Sequence, residues 1–176
     1  MVNIFSYDVI AQAIGIVATA FIVGSFLNKR DNHLKGYIMI GNLLFALHFF
    51  MIDAFAGMLI NIINFFRVGS SIKFHKSTKV MLFFWGAYII AAIVIYEKPI
   101  DLFPVFASML STFSMFKLSG IKLRVLAMLG SSSWLIYATF YQSIGGMITE
   151  TFVMVLNSST IYRMLKDKKK SNEQNI

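Results

Sequence analysis

Gln142-Ser-Ile-Gly-Gly-Met147 breaks an apolar run that would otherwise continue from Leu123 to Leu165, and 89 positions earlier Asp53-Ala-Phe-Ala-Gly-Met58 divides a second run between Leu34 and Ile72. Glycine permits a sharp reversal at the first of these breaks. Outward from them the apolar segments fall at 8–27, 34–53, 54–72, 79–96, 100–118, 123–142 and 144–165. Each approaches the length of about 20 apolar residues that carries a helix across ~30 Å of hydrocarbon. Of 176 residues, 57% are hydrophobic and 14% charged, where a soluble chain has about 25% charged residues. The pattern predicts an all-α membrane protein with seven transmembrane helices, and seven spans leave no length for a soluble catalytic domain.

Charge decides the number of spans. Lys29, Arg30 and Lys35 lie in the first connection, Lys73, Lys76 and Lys79 in the third, Lys117, Lys122 and Arg124 in the fifth, and Lys166, Lys168, Lys169 and Lys170 in the tail. Asp8, Asp53, Glu97 and Asp101 occupy the alternate ends, with Lys98 the one base there. Merging two neighbouring runs would put a basic cluster on the wrong side. The alternation therefore predicts an N-terminus outside and a C-terminus in the cytoplasm. On this reading the net charge of +8 sets topology, and no nucleic-acid partner is expected. The first basic residue is Lys29, so the N-terminal run lacks a signal peptide's basic segment and reads as a retained helix. The polar tail from Lys166 to Ile176 is expected to be disordered beyond the last helix, a topology anchor or a site for anionic lipid. With no cysteine there is no disulfide framework and no Cys-ligated metal.

Sliding the chain by 89 positions pairs the first three spans with the last three. Ala18/Ala107, Ser25/Ser114, Leu34/Leu123, Met39/Met128, Gly41/Gly130, Gly57-Met58/Gly146-Met147, Ser70/Ser159 and Ile72/Ile161 are then identical. Composition alone produces some such matches, but basic loops, tight turns and aromatic positions superpose too, without an insertion. An odd number of helices separates the halves, so both cross in the same sense, as parallel repeats. The organisation predicted is a first three-helix repeat (1–74), a linker helix (75–96), a second three-helix repeat (97–165) and a basic cytoplasmic tail (166–176). Transporters with parallel repeats place substrate between the halves and rock one against the other.

In this three-plus-one-plus-three design the chain resembles the SWEET (MtN3) and PQ-loop transporters, and within that clan it is most similar to the small bacterial inner-membrane family typified by YgjV. The resemblance implies a multi-pass protein of the bacterial inner membrane. SWEETs carry a substrate-facing Asn on helix three and another on helix seven, opposite aromatic or small residues on helices two and six. Here Asn61 follows Phe45 by sixteen positions and Glu150 follows Trp134 by sixteen, so the second Asn is a Glu. Of the four prolines SWEETs place on helices one, two, five and six, Pro104 alone matches, with Gly15 at its repeat partner. Pro104 and Gly15 are candidate hinges, because Pro removes a backbone hydrogen bond and Gly flexes.

Depth selects the candidate site. Asn61 and Glu150 each lie about 10 Å inside the outer ends of their helices, and His48 and Tyr137 about 8 Å. Phe45 shares a face with His48, Asn64 with Asn61, Trp134 with Tyr137 and Asn157 with Glu150, because steps of three and seven return to one side of a helix. Ionisable groups at such depth usually face protein or water, so Glu150 is placed to bind a polar or cationic group or to carry a proton, unless it reaches the outer interface. His48, Asn61 and Asn64 offer donors and acceptors to a ligand, or equally hydrogen bonds between helices. Phe45, Trp134 and Tyr137 stack on a ring or simply pack. Arg67 and Arg163 near the cytoplasmic ends are expected to snorkel, and His33 and His75 lie in basic loops. Ala11, Gly15 and Thr19 recur every four positions and imply close packing, within the bundle or between copies in a homo-oligomer.

No nucleotide-binding, metal-binding or paired-carboxylate motif stands out, so neither an enzyme nor a cofactor or metal site is expected. The reading reached is a transporter-like protein in the lipid bilayer that moves a small polar, sugar-like metabolite by alternating access, with or without proton coupling. Uptake of a vitamin or nucleoside such as nicotinamide riboside, as in a related clan member, and a non-transporting scaffold or assembly partner are the alternatives. Because the chain has no native cysteine, single cysteines report topology directly. Ser6→Cys should react with an impermeant maleimide added to spheroplasts and Lys79→Cys should not, the reverse pattern overturning the predicted orientation.

Overall fold

The computed structural model describes residues 4–25, 31–74 and 77–173, so Lys29, Arg30, His75 and Lys76 lie outside the described residues. Seven helices occupy them: α1 (Ile4–Ser25), α2 (Asp31–Met51), α3 (Phe55–Lys73), α4 (Thr78–Ile95), α5 (Leu102–Lys117), α6 (Gly120–Phe140) and α7 (Ile144–Glu173). Five of them, α1, α3, α4, α5 and α6, are long and apolar enough to cross a membrane, and α2 adds a shorter apolar stretch at Lys35–Met51. α7 is less apolar because Thr149, Glu150 and Asn157 interrupt it. Large apolar side chains cover the outside. On α4, Phe83, Ile93 and Val94 are 70%, 75% and 74% exposed, while a narrow stripe of Met81, Phe84, Tyr88 and Ala91 is buried. Such a surface is stable only in lipid.

The tail departs from expectation, since α7 continues to Glu173 rather than ending near Lys166. Lys and Glu are good helix formers, extension needs no new nucleus, and cations suit a helix C-terminus.

α2 packs between α1 and α3, and α6 between α5 and α7. The two groups meet where α1 lies on α7 and α3 on α5, and α4 leans on α3 and α5 from outside. Six helices therefore close a ring around a centre, with α4 covering one seam.

The two tight turns share one hydrogen-bond pattern. Ala54 N donates to Phe49 O (2.8 Å) and Asp53 N to Phe50 O (3.3 Å); 89 positions on, Ser143 N donates to Ala138 O (2.8 Å) and Gln142 N to Thr139 O (3.2 Å). This is the Schellman cap, whose penultimate residue is left-handed, and Asp53 and Gln142 have φ of 55° and 52°. The reversal at 142–147 is thus made by Gln142 and not by glycine, since Gly120 is the one described glycine with positive φ. Gly145 and Gly146 open α7 instead, where their lack of a side chain serves packing.

That packing is the seam between α1 and α7. A Cβ on Gly145 would overlap the Gly15 carbonyl. The Thr19 hydroxyl donates to Gly145 O (2.8 Å) and lies 2.9 Å from Gly15 O, and it accepts from Thr149 (2.9 Å). Gln12 clamps the neighbouring turn, donating to Gln142 O (3.0 Å) and accepting from Ile144 N (3.1 Å). The stripe of Ala11, Gly15 and Thr19 is consumed inside the bundle. Pro104 is the third residue of α5, directly after a 3-10 turn at Pro99–Asp101. Gly145→Ala should therefore lower stability by about 1–3 kcal/mol through overpacking, whereas Gly86→Ala, which meets nothing within 4 Å, should gain about 0.5–1 kcal/mol of helix propensity. Thermal unfolding in detergent compares the two.

Candidate functional site

The ring of helices encloses a cavity of about 270 Å³ lined from α1, α2, α3, α5, α6 and α7, near the lower end of the ~300–1,000 Å³ typical of small-molecule sites. Its lining follows the 89-residue offset. Asn42 and Ser131, Phe45 and Trp134, Asn61 and Glu150, and Ile22 and Ser111 are lining pairs separated by that step. The pairs match in place and differ in chemistry.

Toward the end that carries Asp8, Asp53 and Asp101 the cavity is stoppered by rings. Phe49 stacks on Trp134 (centroids 5.9 Å apart, 26° between planes) and meets Tyr137 edge-on at 5.6 Å. Phe45 stacks on Phe49 at 5.9 Å, and Tyr137 meets Tyr141 at 4.8 Å. Gly57 makes room, since a Cβ there would lie 2.7 Å from Phe49 and 2.8 Å from Tyr137. Tyr137 Oη accepts from Gly57 N at 2.7 Å, so one hydroxyl joins α6 to the start of α3 and satisfies a helix N-terminal N–H. Phe49, Tyr137 and Ala138 are buried, whereas Ile22, Ile38, Ser111 and Ala127, toward the lysine-rich end, keep accessible surface. The packed rings close the hollow at the acidic end.

Five of the eight candidate residues line the cavity: Phe45, Asn61, Asn64, Trp134 and Glu150. Glu150 is half-buried with Ser131 in the same wall. Asn61 donates to Gly57 O (2.8 Å), and Asn64 donates to Ser108 Oγ (3.1 Å) and accepts from Tyr88 Oη (2.7 Å). His48, Tyr137 and Asn157 are not in the lining. His48 turns to the α1–α7 seam, with Nδ1 2.7 Å from Ala11 O and Nε2 2.7 Å from Ser143 Oγ. A carbonyl only accepts, so Nδ1 carries the proton and the ring ties α2 to α1 and to the α6–α7 turn. Gly15 faces this ring, a Cβ there falling 3.0 Å from it. Asn157 accepts from Arg124 Nη1 (3.3 Å) and donates to Val153 O (2.9 Å).

Arg67 is the larger correction. Expected to snorkel, it is 7% exposed and lines the cavity. Helix geometry supplies the reason. Arg67 belongs to the buried stripe of α3 that includes Ile60, Asn64 and Ser71, and helical side chains lean toward their own N-terminus. α3 begins at the acidic end, so Arg67 leans into the bundle and away from water. The i, i+3 step from Asn64 was the available signal. Asn42, also in the wall, lies three positions before Phe45 on the same face of α2, which was the available signal. Arg163 and His33 are exposed, and among the described residues no group of His, Asp or Glu is arranged to hold a metal.

The family model Imp-YgjV, described as a bacterial inner membrane protein, matches residues 9–168. Inner membrane protein YgjV of Escherichia coli (strain K12) is 23% identical over 161 residues, covering 92% of this chain and 87% of that protein. No solved structure matches.

Tyr137→Phe keeps the aromatic stopper but leaves the buried Gly57 N–H without its acceptor. A loss of about 1–3 kcal/mol is expected, read by thermal unfolding, with little change in the fluorescence of neighbouring Trp134.

Proposed function

The chain belongs to the Imp-YgjV family of bacterial inner membrane proteins, and we propose that it moves a small polar metabolite across that membrane by alternating access, altering no bond of the solute. α1–α3 and α5–α7 act as two parallel three-helix repeats joined by α4, the arrangement in which the chain resembles SWEET and PQ-loop transporters. The observation that carries this reading is the central hollow, walled by both halves at positions 89 apart, with Asn61, Asn64, Arg67 and Glu150 set among apolar side chains. A scaffold has no use for a hollow at its centre. Asn61, Asn64 and Glu150 supply hydrogen bonds to the solute, and Phe45 and Trp134 flank it with ring faces.

By the positive-inside rule the basic connections belong in the cytoplasm, and on this reading the open end is the one away from the rings. The described state then faces inward, and the stopper of Phe49, Trp134 and Tyr137 is the closed outer gate. Outward opening needs the Thr19–Gly145 seam to act as pivot while the rings part. An interhelical hydrogen bond inside a membrane is worth about 0.6 kcal/mol on average, so a few such bonds at the gate permit opening on a working timescale.

Single-cysteine accessibility and flux test this together. Ser111→Cys should be labelled in inside-out vesicles and protected in spheroplasts, and Phe49→Ala added to it should admit reagent from both sides. Proteoliposomes should take up a labelled polar solute faster than empty vesicles, with Asn61→Ala slowing uptake at least tenfold. Protection of Ser111→Cys from both sides, with no solute taken up, would leave a packed membrane protein and end the transport reading.

A further inference from the structure

Two buried side-chain nitrogens lack a hydrogen-bond partner among the described residues, Asn42 Nδ2 and Arg67 Nε, and both residues line the central cavity. Both atoms are donors. Asn42 is 8% and Arg67 7% exposed, so neither side chain is turned to lipid or bulk water. The register of α2 against α3 brings them together. Met39 closes over Gly69 and Phe49 over Gly57, which in an antiparallel pair sets Asn42 level with about residue 65, within one turn of Arg67.

The nearby acceptors are engaged. Asn64 Oδ1 takes the Tyr88 hydroxyl, and Ser108 Oγ takes Asn64 Nδ2. Arg67 Nη1 reaches the sulfur of Met115 at 3.8 Å, a weak acceptor for a full charge, and the one oxygen beside the guanidinium is the neutral Tyr88 hydroxyl, whose own proton goes to Asn64. Glu150 stands six residues into α7 as Asn61 stands six into α3, about 9 Å nearer the acidic end than Arg67. A buried guanidinium in such a place is strongly unfavourable unless something brings it oxygen. Its planar fork matches a carboxylate or phosphate.

We infer that the solute carries an anionic oxygen group, a carboxylate or phosphate, which sits on Arg67 and Asn42 at the inner part of the cavity. The rest of the molecule extends between Phe45 and Trp134 toward Glu150, whose carboxyl favours a hydroxyl or ammonium there over a second anionic group. This assignment rests on the transport reading and narrows its substrate class.

Trp134 lines the cavity while Trp85 is tied to Met109 O on the α4–α5 contact, so a Trp85→Phe chain carries its reporter at the site. In neutral detergent the full-length protein is titrated with inorganic phosphate, lactate and glucose. Phosphate or lactate should change Trp134 emission saturably. Arg67→Gln should weaken that binding at least tenfold, Arg67→Lys less so, and neither should alter any response to glucose. Asn42→Asp places a carboxylate beside the guanidinium, so it should abolish anion binding while raising the unfolding temperature. It decides the matter if Arg67→Gln fails to fold. Failure of both anions to bind, or binding indifferent to Asn42→Asp, overturns the assignment. Saturation by phosphatidylglycerol micelles in place of soluble anions would identify a lipid headgroup and overturn the solute. Anion binding without uptake in proteoliposomes would remove the transport reading and leave this one, whereas glucose uptake undiminished in Arg67→Gln, with no anion bound, would do the reverse.

Discussion

Backbone meets backbone where Gly15 on α1 faces Gly145 on α7, and this contact governs the rest of the bundle. Helix pairs in lipid gain nothing from hiding apolar surface, so close approach and polar bonds must hold them. Without side chains at these two positions, Thr19 reaches the Gly145 carbonyl and Thr149 reaches Thr19. His48 then spans from Ala11 to Ser143 across the same seam. Pulling the halves together here also presses the rings at the acidic end into one another. On the other side of the ring α3 and α5 meet through Asn64 and Ser108, with α4 laid over them. The hollow is the space left between a tight seam and a looser one.

Much of the fold was legible because hydrophobic length and charge alternation are local, additive signals. Seven helices fall close to the seven apolar runs, and the offset of 89 marks turns that prove alike down to the hydrogen bonds of Asp53 and Gln142. The role of glycine in the second turn was misassigned, since composition does not tell which residue of Gln-Ser-Ile-Gly-Gly becomes left-handed. The length of α7 was also missed. Charged residues read as a solvated tail, yet they are good helix formers attached to a helix already begun.

The site was legible by depth and only partly by direction. Asn61, Asn64, Phe45, Trp134 and Glu150 line one hollow because each lies on the inward stripe of its helix. His48 and Tyr137 share their depth but point to seams, and which of two inward directions a side chain takes depends on neighbours such as Gly15 and Gly57, far away in sequence. Arg67 escaped notice because nearness to a helix end suggested an escape to water. The tilt of its Cα–Cβ bond toward the start of α3 sends it the other way.

The two turns at 53 and 142 copy one another while the walls between them do not. A chain with identical halves would offer two equivalent poses related by a half-turn, so a bound molecule would have no preferred heading within the plane of the membrane. Here Asn61 is matched by Glu150, Asn42 by Ser131 and Arg67 by Leu156. The backbone repeats while the wall of the hollow does not, so the two halves present different chemistry to one space, and on the transport reading proposed above a guest would sit there with a single polarity.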